Sequence, residues 1–293
     1  MISVRDDCKD LFPEQSMDAF FSIDGETVKH VVESRRIFIF ERGGRQFYMK
    51  AHYGVGWAEI VKNWLQFKKP ILGAENEWRA IQTFSRPDIN IATTPLVAWG
   101  KEGCNPATQR SFIITDALQS TVDLEHWLPE LEQWPHKAQR LRLKRAIIHR
   151  LGDIARRLHG NGMTHRDFYL CHFRLDMSKA GPLPAIEDIK LYLMDLHRVE
   201  RYEKLPERWA VKDIAGLLYS TLFDSKGIKL TQGDIIRFIE AYTGKTGRTA
   251  LSNHHDLWCQ VLRRIIRTYK KDHGVTPSLP ACLMRWYETN SKI

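Results

Sequence analysis

One ordered series of residues limits what this chain can fold into more than any bulk property does. The segment from about Leu141 to His159 carries Leu143, Ile147, Leu151, Ile154 and Leu158 on one stripe, the mark of a long amphipathic helix. Gly160 and Gly162 end it and lead into His165-Arg166-Asp167-Phe168-Tyr169-Leu170-Cys171-His172-Phe173. A short apolar strand, Lys190-Leu191-Tyr192-Leu193-Met194, then presents a second carboxylate, Asp195, ahead of Leu196 and His197. Two carboxylates held at the ends of rigid elements suit two different tasks, accepting a proton and holding a hard cation.

Upstream the pattern is different. Thr27–Val32 and Arg35–Glu41 are rich in β-formers, and Arg42-Gly43-Gly44-Arg45 is a hairpin turn into Gln46–Lys50. A helix-like spacing of Trp57, Ile60, Val61, Trp64 and Lys68 follows. A second helix begins near Ala74 with Glu75, Glu77, Trp78 and Ile81. Two more strands are expected at Leu96–Trp99 and Phe112–Thr115, and helices near Asp123–Leu131, Trp209–Phe223, Thr231–Tyr242 and Trp258–His273. Strands first and helices later predict an α+β chain: a small β-rich lobe over 1–117, a larger helical lobe over 118–293, and a hinge at Leu118–Asp123.

The order strand-Lys, helix-Glu, long helix, His-Arg-Asp, apolar strand, Asp is that of the two-lobed protein-kinase-like fold. Asp167 is then the base for an acceptor hydroxyl, with His165 and Arg166 supporting its loop. Asp195 holds Mg²⁺ on the phosphates of ATP. Lys50, closing the third strand, meets those phosphates, and its helix partner is Glu77, with Glu75 the alternative. Two positions depart from the pattern. Glu33-Ser34-Arg35-Arg36 stands where a glycine-rich loop is expected, so Ser34 or an arginine is left to meet the phosphates. His172 stands where a metal-binding Asn is expected. Imidazole is a poor ligand for Mg²⁺, which favours a loop-ordering role for His172 over ligation.

The net charge of +9 gathers at Arg140–Arg145, Arg156-Arg157 and Arg263-Arg264 through Lys270-Lys271, which suits an anionic partner or simply solvated helix faces. No nucleic-acid-binding motif accompanies it. Five scattered cysteines without C-x-x-C spacing suit free thiols in a reducing cytoplasm. Met1–Ser16 does not read as a signal peptide, and no run of ~18 apolar residues is long enough to span a bilayer.

Asp213 follows Asp195 too closely to leave room for an activation loop, an Ala-Pro-Glu motif and a peptide platform, which favours a small or glycan acceptor. The stretch 165–173, Asp195-Leu196-His197-Arg198, Pro70-Ile71-Leu72-Gly73-Ala74 with Glu77-Trp78, Ser111–Thr115, and Arg208-Trp209 through Lys212-Asp213 resemble the lipopolysaccharide core heptose I kinase family (WaaP/RfaP type). The likeness runs from about residue 20 to 245. The segment beyond Gly244 looks like an extension.

The resemblance implies ATP-dependent phosphorylation of O4 on heptose I of the lipopolysaccharide inner core. It also implies Asp167 as base, His172 as part of the family pattern, and an acylated acyl carrier protein as partner. Such a substrate sits at the cytoplasmic face of the inner membrane. The segment Trp57–Lys69 either lies at that peripheral interface or packs on the small lobe. A Kdo kinase, a protein tyrosine kinase and an inactive scaffold of the same fold are the competing readings; intact Lys50, Asp167 and Asp195 oppose the last.

Overall fold

The structure is a computed structural model that describes the chain except residues 33, 67–69, 180, 182, 253, 282 and 284–293. Two compact units emerge. One comprises Met1–Pro87, Thr93–Gln119 and Asp195–Val199, and the other Asp88–Ala92, Ser120–Met194 and Glu200–Ile293.

The first unit is built on a six-stranded antiparallel sheet. Along the chain it has β1 (Ile2–Val4), helix α1 (Met17–Phe21), β2 (Glu26–Val32), β3 (Arg35–Arg42), β4 (Arg45–His52), α2 (Gly56–Leu65), α3 (Glu75–Phe84), β5 (Leu96–Glu102) and β6 (Arg110–Asp116). The strand order is β1-β5-β6-β4-β3-β2. Gly43 and Gly44 both take positive φ in the β3–β4 turn, as a two-residue hairpin with right-handed strand twist demands. Alternation along β4 sends Phe47, Met49 and Ala51 into a core with Phe38, Phe40, Phe112 and Ile114, and puts Lys50 and His52 on the opposite face.

That core is closed by a segment whose secondary structure the sequence pattern did not reveal. Residues Asp6–Leu11 form a 3₁₀ helix, and α1 follows it. Phe12 and Phe20 stack at 5.6 Å, and Phe20 lies 4.3 Å from the Phe112 ring. The signal was weak because the anchors are isolated aromatics on very short elements, where no period can build up.

The second unit continues with β7 (Thr121–Asp123), α4 (Leu124–Glu132), α5 (Lys137–Gly160), β8 (Met163–Thr164), β9 (Phe173–Asp176), β10 (Leu191–Leu193), β11 (Glu200–Arg201), α6 (Glu207–Tyr219), α7 (Gln232–Thr243), α8 (Gly247–Ser252) and α9 (His255–His273). The α5 stripe is buried as its spacing predicts. Gly152 lets α7 close on it, since a Cβ there would stand 2.7 Å from Ala241 Cβ. Helix α9 packs Leu257, Trp258, Val261, Leu262 and Ile265 inward and exposes Arg263, Arg264, Arg267, Lys270 and Lys271.

The other basic clusters are less free than their sequence suggests. Lys144 is buried and paired with Glu132 and Asp234, while Arg156 and Arg157 both bind Asp153. Among the described residues no helix is long and apolar enough to cross a membrane.

Candidate active site

In the sheet-bearing unit, β4 runs two residues past Lys50, to His52, and the first turn of α3 carries its partner, Glu77. Gly73 makes the approach of α3 possible, because a Cβ there would lie 2.2 Å from Ser111 Oγ on β6. The same hydroxyl accepts the Ala74 N–H at 3.0 Å and fixes where α3 starts. Trp78 then stacks on Trp99 at 4.1 Å, which locks the rotation of α3. Glu77 is thereby buried beneath the sheet face, and Lys50 Nζ donates to both its oxygens, at 2.8 and 3.0 Å. Glu75 points elsewhere and is engaged by Arg79 and Lys101. Burial works against a charge on Lys50, but the carboxylates of Glu77 and Asp195 outweigh it and hold the ammonium above its ordinary range.

Asp195 completes this cluster. Its backbone is left-handed, with φ 58°, an uncommon state for a residue with a side chain. Its Oδ1 lies 3.4 Å from Lys50 Nζ and 2.6 Å from His197 Nδ1. Asn76 on α3 holds the following turn by donating to the carbonyls of His197 and Val199, at 2.8 and 2.7 Å. His197 and Asn76 are site residues to which the sequence reading gave no role. Their signal was only positional: one lies two residues past Asp195, the other next to Glu77.

The β2–β3 turn carries Ser34, whose carbonyl accepts the Tyr53 N–H at 2.9 Å. The two arginines after it part ways. Arg36 pairs with Asp24 at 2.7 Å and lies over Phe38 on the core side. Arg35 is opposite His52 in the β3–β4 register and so shares the Lys50 face. Its Nε is buried and has no hydrogen-bond partner among the described residues. Burial, reinforced by the charges of Arg35, Lys50 and His197, pushes His52 down to about 3, so this ring is neutral. Glu33, the first residue of the tetrapeptide, lies outside the described residues.

In the helical unit the His-Arg-Asp segment hangs on Asp213 of α6, which is fully buried. Asp213 accepts from Thr164 Oγ1 at 2.8 Å, from the His165 N–H at 2.7 Å and from the Arg166 N–H at 2.8 Å. Burial opposes its ionisation, but bonding to His159 and Thr164 holds the carboxyl below its usual value. His165 is buried and donates Nε2–H to the Met194 carbonyl at 2.8 Å, and burial keeps its ring neutral.

His172 has an explicit partner. A carbonyl can only accept, so Nδ1 donates to Asp167 O, at 2.7 Å. The Tyr169 N–H reaches the same carbonyl at 2.9 Å, and the Met194 N–H binds His172 O at 2.8 Å. The ring of His172 thus ties back to the Asp167 carbonyl while its own carbonyl is tied to Met194.

The donor set suits Mg²⁺ held largely by substrate. No group of three or more His, Cys, Asp or Glu able to hold a metal occurs among the described residues. Mg²⁺ characteristically takes one or two carboxylates together with substrate phosphates and water, a role within reach of Asp195. Fold and site together define a phosphotransferase of the protein-kinase-like class.

Comparison with known proteins narrows the class. Residues 21–242 match the Lipopolysaccharide kinase (Kdo/WaaP) family, and the chain belongs to that family. It is 37% identical to the lipopolysaccharide core heptose(I) kinase WaaP of Escherichia coli K12 over 243 residues, 82% of this chain and 87% of that protein. The WaaP of Pseudomonas aeruginosa is 36% identical over 254 residues, 87% of this chain and 90% of its own length. A solved structure of WaaP in complex with acyl carrier protein superposes with a TM-score of 0.73 at 30% identity, covering 92% of this chain and 99% of that one.

Proposed function

We propose that the chain transfers the γ-phosphoryl group of ATP to O4 of heptose I in the lipopolysaccharide inner core. The observation that carries the reading is the pairing of Lys50 with Glu77 and Asp195 in one unit, alongside an Asp213-anchored Asp167 loop in the other. Asp167 accepts the proton of the attacking hydroxyl, a contribution of roughly 10²- to 10⁴-fold. Lys50, kept charged and oriented by Glu77, neutralises phosphate oxygens, and Arg35 adds a forked donor where a glycine-rich loop would supply backbone amides. Asp195 would hold Mg²⁺, which when bound offsets charge on the transferred group. The heptose acceptor rests on the named relatives, and the short Asp195–Asp213 interval supports a glycan over a peptide.

Two partners complete the proposal. The first is acyl carrier protein, supported by the related complex and by an apolar cavity of about 180 Å³ in the helical unit. Leu131, Ile147, Leu151, Leu217, Phe238 and Leu262 line it, which suits an acyl chain. The second is the cytoplasmic face of the inner membrane, supported by the exposure of Trp57 and Trp64 on α2. Phe67, Lys68 and Lys69, which extend the interfacial segment in sequence, lie outside the described residues.

The test is mass spectrometry of core oligosaccharide from host cells with and without the gene. Loss of one heptose phosphate, restored by wild type and not by Asp167→Ala, is expected. Unchanged heptose phosphorylation contradicts the reading. Purification from those cells with acyl carrier protein in equal amount is expected too, and its absence would remove that partner.

A further inference from the structure

Arg166 precedes the proposed base and pays for its position with a left-handed backbone, φ 71°. Three contacts, all in the helical unit, hold it there. Its N–H is bound to Asp213, its guanidinium donates to Glu200 Oε1 at 2.7 Å, and its Cζ lies 4.3 Å from the centroid of the Trp209 ring. Glu200 is fixed in turn. It is paired with Thr164 across β8–β11, and Tyr202 donates its hydroxyl to Oε2 at 2.5 Å. Burial and then the bond to Glu200 raise the Tyr202 phenol, so it stays a donor. The Tyr202 N–H also reaches Gly162 O at 2.8 Å, an approach that leaves no room for a Cβ at Gly162. The side chains of Arg166 and Glu200 are only 16% and 17% exposed, so their charges interact with little solvent screening.

Kinases that switch leave the arginine beside the catalytic Asp without a partner until a phosphate is added to the activation segment; the new arginine–phosphate pair then orders the loop. Here an encoded carboxylate already makes that bond. We propose that Glu200 is a positioning residue that stands in for a regulatory phosphate, so the catalytic loop is competent without any covalent modification. The proposal rests on the kinase reading above and adds to it the absence of a phosphorylation step in activation.

The test uses full-length protein freed of phosphate by phosphatase and checked by intact mass. Two rates are followed, phosphorylation of core heptose and basal ATP hydrolysis, for wild type, Glu200→Gln, Glu200→Asp and Tyr202→Phe. Phosphate-free wild type is expected to be fully active. Glu200→Gln keeps the shape and loses the charge, so its kcat is expected to fall roughly 10- to 100-fold, the scale of a misplaced catalytic group, with the ATP KM nearly unchanged. Glu200→Asp should recover part of kcat, and Tyr202→Phe should show a smaller loss, giving a reading even if Glu200→Gln fails to fold.

Activity in wild type that vanishes on phosphatase treatment overturns the proposal. So does full kcat in Glu200→Gln, or a fall in ATP affinity that accounts for all the loss. ATP hydrolysis without heptose transfer in wild type sinks the acceptor assignment and still reports on Glu200. No turnover of ATP in wild type sinks the kinase reading, and Glu200 with it.

Discussion

Arg35 carries a buried Nε with no partner among the described residues, on the same sheet face as Lys50. A guanidinium placed this way is suited to a phosphate, whose bond to a charged donor is worth about 1.5–3 kcal/mol. Arg35→Ala is expected to weaken ATP binding roughly 10- to 100-fold while leaving adenosine binding intact, read by calorimetry. Equal loss for adenosine would mean that Arg35 supports the sheet and not the phosphates. Most of this detail was only half legible. Lys50, Asp167 and Asp195 stand at positions fixed by local motif, so the sequence places them. The sequence favours Glu77 over Glu75, and the rotation of α3 puts Glu77 on Lys50; choosing Arg35 over Arg36 needs the pleat of β3. Glu200, His197 and Asn76 act through contacts that the chain makes only when folded, and no spacing rule announces them.

Helix α2 is unusual among the elements for what it leaves outside. Ile60 is its one buried side chain, while Trp57, Val61, Trp64 and Leu65, at helical spacing, are 43% to 77% exposed. An apolar stripe turned to solvent costs free energy unless a surface covers it, and tryptophan at such a stripe suits a headgroup layer. Trp57→Ala with Trp64→Ala is expected to cut sedimentation with anionic phospholipid vesicles by about tenfold or more. Retained vesicle binding would assign the stripe another role. The long elements, α5 above all, were legible because their apolar period repeats over several turns. Of the paired fragments β7–β9–β10 and β8–β11 the sequence marks only β10, within its apolar strand Lys190–Met194; the others are two to four residues long and show no alternation.

For the whole molecule, two buried neutral imidazoles tie stability to pH. His52 is pushed down to about 3 and His165 is lowered, whereas both titrate near 6.5 in the unfolded chain. Above pH 6.5 neither state binds these protons, and the folded protein is at full strength. Below it the unfolded chain takes them up first. Stability then falls by about 1.4 kcal/mol per pH unit through His52, continuing toward its folded value, and His165 adds to the fall in the same direction. Denaturant unfolding between pH 7.5 and 5 should show this slope, reduced in His52→Gln; a flat profile would contradict it.

The most direct measurement of the central claim is made on the purified chain, with ATP, Mg²⁺ and core lipopolysaccharide stripped of its heptose phosphate, the product being mapped by ³¹P–¹H NMR. One phosphate on O4 of heptose I is expected, with Asp167→Asn slower by roughly 10²- to 10⁴-fold at unchanged ATP affinity. Phosphate on Kdo, on a tyrosine of the protein itself, or on no sugar at all would contradict the account.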